Sequence, residues 1–235
     1  MKKLLMALLG VSVLIVTSLV APPAGASDDD DDGDYATYTV TFTNLTSGQY
    51  LTPPNWAAHS DDVEIFDKGD EASPGLQAVA ENGGVPVLAA ELLANIDDEG
   101  EGVSGVGAAG PVAPGATVTW TFTTDERHFS LASMIICTND GFGGVDSKRL
   151  PNRDGRTRTY NVHAYDAGTE INTELDADLV PAPFCLGGEI GSPASNPALA
   201  EDGEIRRHRG IRGVGDLDSS FDWNGPVARV SITRG

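Results

Sequence analysis

In Thr117-Val118-Thr119-Trp120-Thr121-Phe122-Thr123, threonine alternates strictly with valine, tryptophan and phenylalanine. A period of two puts the apolar side chains on one face of a pleated strand; a helix would scatter them around its circumference. Tyr38 to Asn44 repeats the pattern, with Tyr, Val and Phe on one face and Thr on the other, and Thr157 to Ala164 and Val227 to Thr233 read the same way. Phe129 to Cys137 is more continuously apolar, as expected of a strand covered on both faces. Irregularly spaced strands, long polar connections and few long helices define an all-β chain with minor α content, an antiparallel β-sandwich and not a doubly wound fold. No internal repeat is visible.

Two short helices are expected between the early strands. Ser73-Pro74 supplies an N-cap and a proline at the first helical position. Leu76, Val79 and Ala80 then follow at helical spacing, and Asn82-Gly83-Gly84 closes the turn. Val85 to Ile96, with Leu88, Leu92 and Leu93, is the second. The pair reads as an insertion that covers one edge of the sandwich and blocks edge-to-edge pairing. Asp97 to Gly115 reads as a long loop. Within it Gly105-Val106-Gly107-Ala108-Ala109-Gly110 matches a dinucleotide-binding fingerprint, but an acidic loop precedes it and Pro111 follows, so the match is accidental.

Residues 1–26 have the form of a secretory signal: basic Lys2 and Lys3, apolar Leu4 to Val20, and a small-residue cleavage site at Ala24-Gly25-Ala26. The apolar run ends in Pro22-Pro23 and then aspartates, with no basic stop-transfer flank and no cysteine for lipid attachment, so cleavage without stable membrane insertion is expected. Residues 27–36 form an acidic, disordered leader. Asp28, Asp30, Asp32 and Gly33 match the opening of an EF-hand loop, but its twelfth position would be Thr39, inside a strand. Residues 37–235 are one domain of the larger all-β kind. Losing the two signal lysines takes the formal charge from -20 to -22. This makes nucleic acid and anionic membrane poor partners for the surface as a whole, and suits a high-salt habitat where self-repulsion is screened. Cys137 and Cys185 in an exported chain permit one disulfide; separate burial of each thiol is the alternative. Asn44-Leu45-Thr46 is a glycosylation sequon.

Chemistry is expected where strands end in acids. The run Ser133 to Cys137 breaks at Asn139-Asp140-Gly141, and the strand through Ala164 ends in Tyr165-Asp166-Ala167-Gly168-Thr169-Glu170. Two such turns at one end of a sheet can converge oxygens on a hard cation such as calcium, which takes 6–8 oxygen ligands. Asp140, Asp166 and Glu170 are the candidate ligands, provided the two turns are neighbours in space. Otherwise, in so acidic a chain, they are merely solvated.

These stretches also resemble the spondin domain. Ser133-Met134-Ile135 followed by Asn139-Asp140-Gly141-Phe142-Gly143-Gly144 looks like that family's strand-and-turn signature, and Asp166-Ala167-Gly168-Thr169-Glu170 like its Asp-Ala-Gly-Thr-Asp turn. His59-Ser60 with Phe66, Gly69 with Ala72-Ser73 and Gly75-Leu76, Ala80-Glu81 with Gly83, and Pro226 to Ile232 continue the likeness, from about Tyr38 to Arg234. The resemblance implies a C2-like sandwich with Asp140 and Asp166 as calcium ligands. Glu170 departs from the family's Asp, which puts its ligation geometry in doubt.

Catalytic patterns are weak. There is no Gly-x-Ser-x-Gly elbow, and Ser104 lies in a loop. His59, His128, His163 and His208 form no zinc spacing; His59 and His163 read as structural. Arg206-Arg207-His208-Arg209 with Arg212 could grip a sulfated or carboxylated glycan, or pair with Glu201, Asp202, Glu204, Asp216 and Asp218. Trp56, Trp120 and Trp223 read as core or edge packing. The expectation is a secreted or cell-envelope, non-enzymatic calcium-binding adhesion module whose partner is an extracellular protein or glycan. The alternatives are an exported hydrolase with an unrecognised carboxylate pair and a purely structural envelope protein.

Overall fold

A computed structural model describes residues 35–99, 102–180, 183, 185–186 and 196–235. Residues 1–26, read as a secretory signal, and nearly all of the stretch read as an acidic leader, with its EF-hand-like letters, lie outside the described residues. Among the described residues nine strands follow in order: β1 (Ala36–Asn44), β2 (Asn55–His59), β3 (Val103–Val106), β4 (Thr117–Thr124), β5 (His128–Met134), β6 (Gly141–Arg149), β7 (Thr157–Asp166), β8 (Arg206–Arg207) and β9 (Ala228–Arg234). All pairings are antiparallel, in the order β3-β2-β5-β6-β7-β9-β1-β4, with β8 added to β7.

Strand β7 joins the two layers of the sandwich. Its first part, Thr157 to Val162, pairs with β9, and the remainder pairs with β6 through His163, Ala164, Tyr165 and Asp166. Between the layers lies one apolar core, including Val40 and Phe42 of β1, Phe129 and Leu131 of β5, and Val230 and Ile232 of β9. The alternation of β1 produces this directly, because alternate residues from Ala36 to Asn44 are buried.

A second core lies on the far side of β5 and β6, beneath α1 (Pro74–Asn82) and α2 (Val85–Glu99). Ser73 caps α1 by accepting from the Leu76 N–H at 3.1 Å, and left-handed Gly83 ends it. Leu76 and Val79 of α1 join Leu88, Leu92 and Ile96 of α2 against Ala132, Met134 and Phe142. Strand β5 is therefore covered on both faces, as its continuous hydrophobicity requires. Helix α2 runs beside edge strand β3, while α1 reaches inward to β5 and β6, so the pair covers part of a sheet face as well as the edge.

Two expectations need correction. The loop expected over Asp97 to Gly115 contains β3, paired with β2 from Asn55 to Ala58. Its glycines serve packing: a Cβ at Gly105 would stand 2.9 Å from the Trp56 ring, and one at Gly107 2.6 Å from Trp120. The sequon at Asn44 is not an open acceptor. Asn44 is fully buried, its Nδ2 donates to the carbonyls of Gln49 (2.8 Å) and Val112 (2.9 Å), and its Oδ1 accepts from the Thr46 N–H and hydroxyl. Those four bonds use the amide's capacity as two donors and an acceptor.

Cys137 and Cys185 form a disulfide with a Cα–Cα distance of 5.6 Å, which resolves the alternative left open by the sequence. It lies in the second core beside Leu179 and Ile205. Among the described residues no helix is long and apolar enough to cross a membrane.

Candidate metal centre

The two acidic turns are neighbours because their strands are. Gly141 of β6 pairs directly with Asp166 of β7, which sets Asp140 beside the end of β7. The Asp140 carbonyl accepts the Ala167 N–H at 3.1 Å, and its Oδ2 accepts the N–H groups of Thr169 (2.9 Å) and Glu170 (3.1 Å). Asp166 closes its own turn by accepting the Gly168 N–H on Oδ1 at 2.9 Å. Gly168 has φ 73°, and a Cβ there would stand 2.7 Å from the Gly203 backbone.

One atom is left over. Asp140 Oδ1 is buried and has no hydrogen-bond partner. An unpaired carboxylate oxygen in such a place carries a large desolvation cost. Burial, and then the neighbouring Asp166 carboxylate, push Asp140 up to about 7. A proton or a cation at Oδ1 would relieve both effects.

Oδ2 of Asp166 is already engaged: it accepts from the neutral amide of Asn172 through Nδ2 at 2.8 Å and pairs with the cationic Arg206 Nη2 at 3.2 Å. Arg206 also pairs with Glu201 at 3.2 Å. The third candidate is placed differently. Glu170 gives Asp140 its backbone N–H, but its own Oε1 accepts the Asn196 N–H at 2.9 Å. Burial lifts Glu170 to about 7, with Glu81 and Asp178 adding to the effect against the opposing Asn196 bond. Asp140 and Asp166 are thus brought together, while the Glu170 carboxylate is engaged elsewhere. Among the described residues no group of three His, Cys, Asp or Glu side chains stands close enough to hold a metal ion.

Two organisers of this end went unnoticed in the sequence. Asn139 Oδ1 accepts the N–H groups of Thr173 (3.1 Å) and Glu174 (3.3 Å), so Asn139 and Asp140 together fasten the whole segment after β7. Glu174 is buried and at positive φ, and its carboxylate accepts the N–H groups of Arg212 (2.6 Å) and Val214 (2.9 Å). Asn-Asp-Gly signalled the first; a lone glutamate between threonine and leucine signalled nothing. A cavity of about 310 Å³ opens here, lined by Asp166, Glu174, Arg206 and Arg209 among others.

The remaining singled-out residues are mostly structural. His59 is fully buried, with Nδ1 2.6 Å from the Ser60 carbonyl and Nε2 2.8 Å from Ser130 Oγ. Trp56 stacks on Phe122 in the core, and Trp120 and Trp223 pack at its margin.

A twisted antiparallel sandwich with helices inserted after its second strand and acids pinned at its loop end defines a β-sandwich module class. A family model described as Spondin_N matches residues 37–177, and the chain belongs to that spondin family. Human (Homo sapiens) Spondin-2 is 30% identical over 169 residues, covering 63% of this chain and 50% of that protein. The chain therefore spans about half the length of the curated relative it matches.

Proposed function

We propose that the chain is an extracellular interaction module, without catalytic function, whose loop end is fixed by one calcium ion. Membership of the spondin family and the disulfide, which persists in oxidising compartments, support the extracellular part. The single observation that carries the calcium reading is the buried, partnerless Oδ1 of Asp140 beside a second carboxylate from a separate turn. Hard carboxylate oxygens suit calcium, and carbonyls and water complete its shell.

Asp140 and Asp166 are the residues that would hold the ion. Bound there, it would supply positive charge tying the turn after Cys137 to the turn after β7. Glu170 joins only if its carboxylate leaves Asn196, which is consistent with its departure from the family's aspartate. Arg206 is the internal cation that the ion would displace from Asp166. The pinned end, and not a catalytic cleft, then makes the contact with an extracellular protein or glycan. Equilibrium dialysis of the mature chain against calcium is the test: about one ion per chain is expected, and none bound at millimolar calcium would refute the reading.

A further inference from the structure

Residues 206 and 207 are consecutive on β8, so their side chains leave opposite faces of the strand. Arg206 goes to the carboxylate centre. Arg207 goes to the other face, where its guanidinium carbon sits 4.8 Å above the Tyr165 ring. Tyr165 and Asp166 divide in the same way on β7, paired with Arg207 and Arg206 respectively. The two-residue strand thus serves two places, and the second holds a groove that the calcium reading does not use.

This groove, of about 440 Å³, runs over β6 and β7 and is lined by Lys68, Lys148, His163, Arg207, Tyr160 and Tyr165, among others. Lys68 and Lys148 are the only lysines outside the signal segment, in a chain of formal charge -20. Among the described residues neither they nor Arg207 form an ion pair with a carboxylate. Of the acids that line it, Asp146 accepts from the Ile65 N–H and the Ser147 hydroxyl and Asp67 from the Lys68 N–H, while Glu64 is exposed at the rim. Gly144, opposite His163, lets the Phe66 ring lie against the strand, since a Cβ there would stand 2.6 Å from it.

We infer that this groove is a binding site for an acidic saccharide, with its sulfate or carboxylate group held by Arg207 and Lys148. Arg207 is pre-organised by its stacking on Tyr165, which leaves the N–H edge of the guanidinium fork to meet an oxyanion bidentately. Lys148 adds a point charge from β6. His163 faces two of these cations: after burial, Arg207 and Lys148 hold it below its ordinary value. Tyr160 offers an amphipathic ring beside these cations, the combination that suits a sugar carrying an anion. A thin single chain can enter the groove where a duplex or a flat anionic bilayer would meet the acidic surface around it.

The test is calorimetric titration of the mature chain, with chelator present so that the outcome is independent of calcium. The probes are a sulfated hexasaccharide, its desulfated counterpart and a uronate-only hexasaccharide, with oligoglutamate as the acidic peptide control. Binding of the sulfated or the uronate sugar is expected, and which of them binds tells sulfate from carboxylate recognition. Lys148→Gln and Arg207→Gln should each weaken it about tenfold or more, whereas Arg153→Gln, exposed and outside the groove, should leave it unchanged. Arg207→Lys should recover only part of the loss, because a lysine keeps the charge but not the fork. Failure of both anionic sugars to bind, equal loss in Arg153→Gln, or equal affinity for oligoglutamate would overturn the assignment.

Discussion

Arg206 Nη2 lies 3.2 Å from Asp166 Oδ2, so a tethered cation stands where the calcium reading places a metal ligand. Arginine and ion compete for the same carboxylate. Arg206→Gln is therefore expected to tighten calcium binding several-fold by calorimetry. It should lower calcium-free stability by less than about 1 kcal/mol, because the arginine is 44% exposed. Unchanged or weaker calcium binding in this variant would separate Arg206 from the ion.

Asn44 gives a test of the inner loop end. Its four hydrogen bonds tie the end of β1 to Gln49 and Val112, so Asn44→Ala should cost roughly 2–3 kcal/mol in denaturant unfolding by leaving buried groups unpaired. Expression in a glycosylating host should leave the mass at this site unmodified once the chain has folded. A glycan found on Asn44 of the folded protein would contradict the buried placement.

The disulfide links residues 48 apart in sequence. In the chain-entropy account a loop of this length contributes roughly 4 kcal/mol. Replacing both Cys137 and Cys185 by alanine should lower unfolding stability by that order, and reductant should then have no further effect. A double variant as stable as the parent would show that the bridge adds nothing to the second core.

His59 carries one pH-dependent part of the stability. Burial is the largest influence on it and holds it below 6.5, its ordinary value. The unfolded chain therefore takes up a proton at higher pH than the folded chain. The contribution is fully present above about pH 6.5 and is lost as pH falls from there towards the lowered folded value. The Ser130 hydroxyl has His59 Nε2 and Asp146 Oδ1 as alternative acceptors, at 2.8 and 3.0 Å, and can donate to only one. Asp140 and Glu170, both raised to about 7, take up protons in the folded chain over the same range and oppose this effect. The His59 part is read as a difference: the melting temperature of the parent relative to His59→Gln should fall from pH 7.5 to 5. Parallel curves would remove His59 from the explanation.

Much of the fold was legible because alternation is a local signal. Strands β1, β4, β7 and β9 each show it, and α1 shows both of its caps. Strand β3 was hidden because Val103-Ser104-Gly105-Val106 is short and glycine-bearing, and its identity as a strand depends on β2 lying alongside. At the loop end, Asp140 and Asp166 stood out by ending apolar runs. Their meeting was expected only if β6 and β7 paired, and they do. The direction of the Glu170 side chain was not legible, since it depends on Asn196, 26 residues away. The groove was equally hidden: Lys68, Lys148, His163 and Arg207 come from four separate segments and share no sequence pattern.

Calcium binding by residues 27–235, beside their Asp140→Asn and Asp166→Asn variants, tests the central claim most directly. The account predicts about one ion per parent chain, with a dissociation constant on the order of 10⁻⁴–10⁻³ M, the range typical of extracellular modules, and a large loss in both variants. A parent chain that takes up no calcium, or variants that bind it as the parent does, would contradict the account.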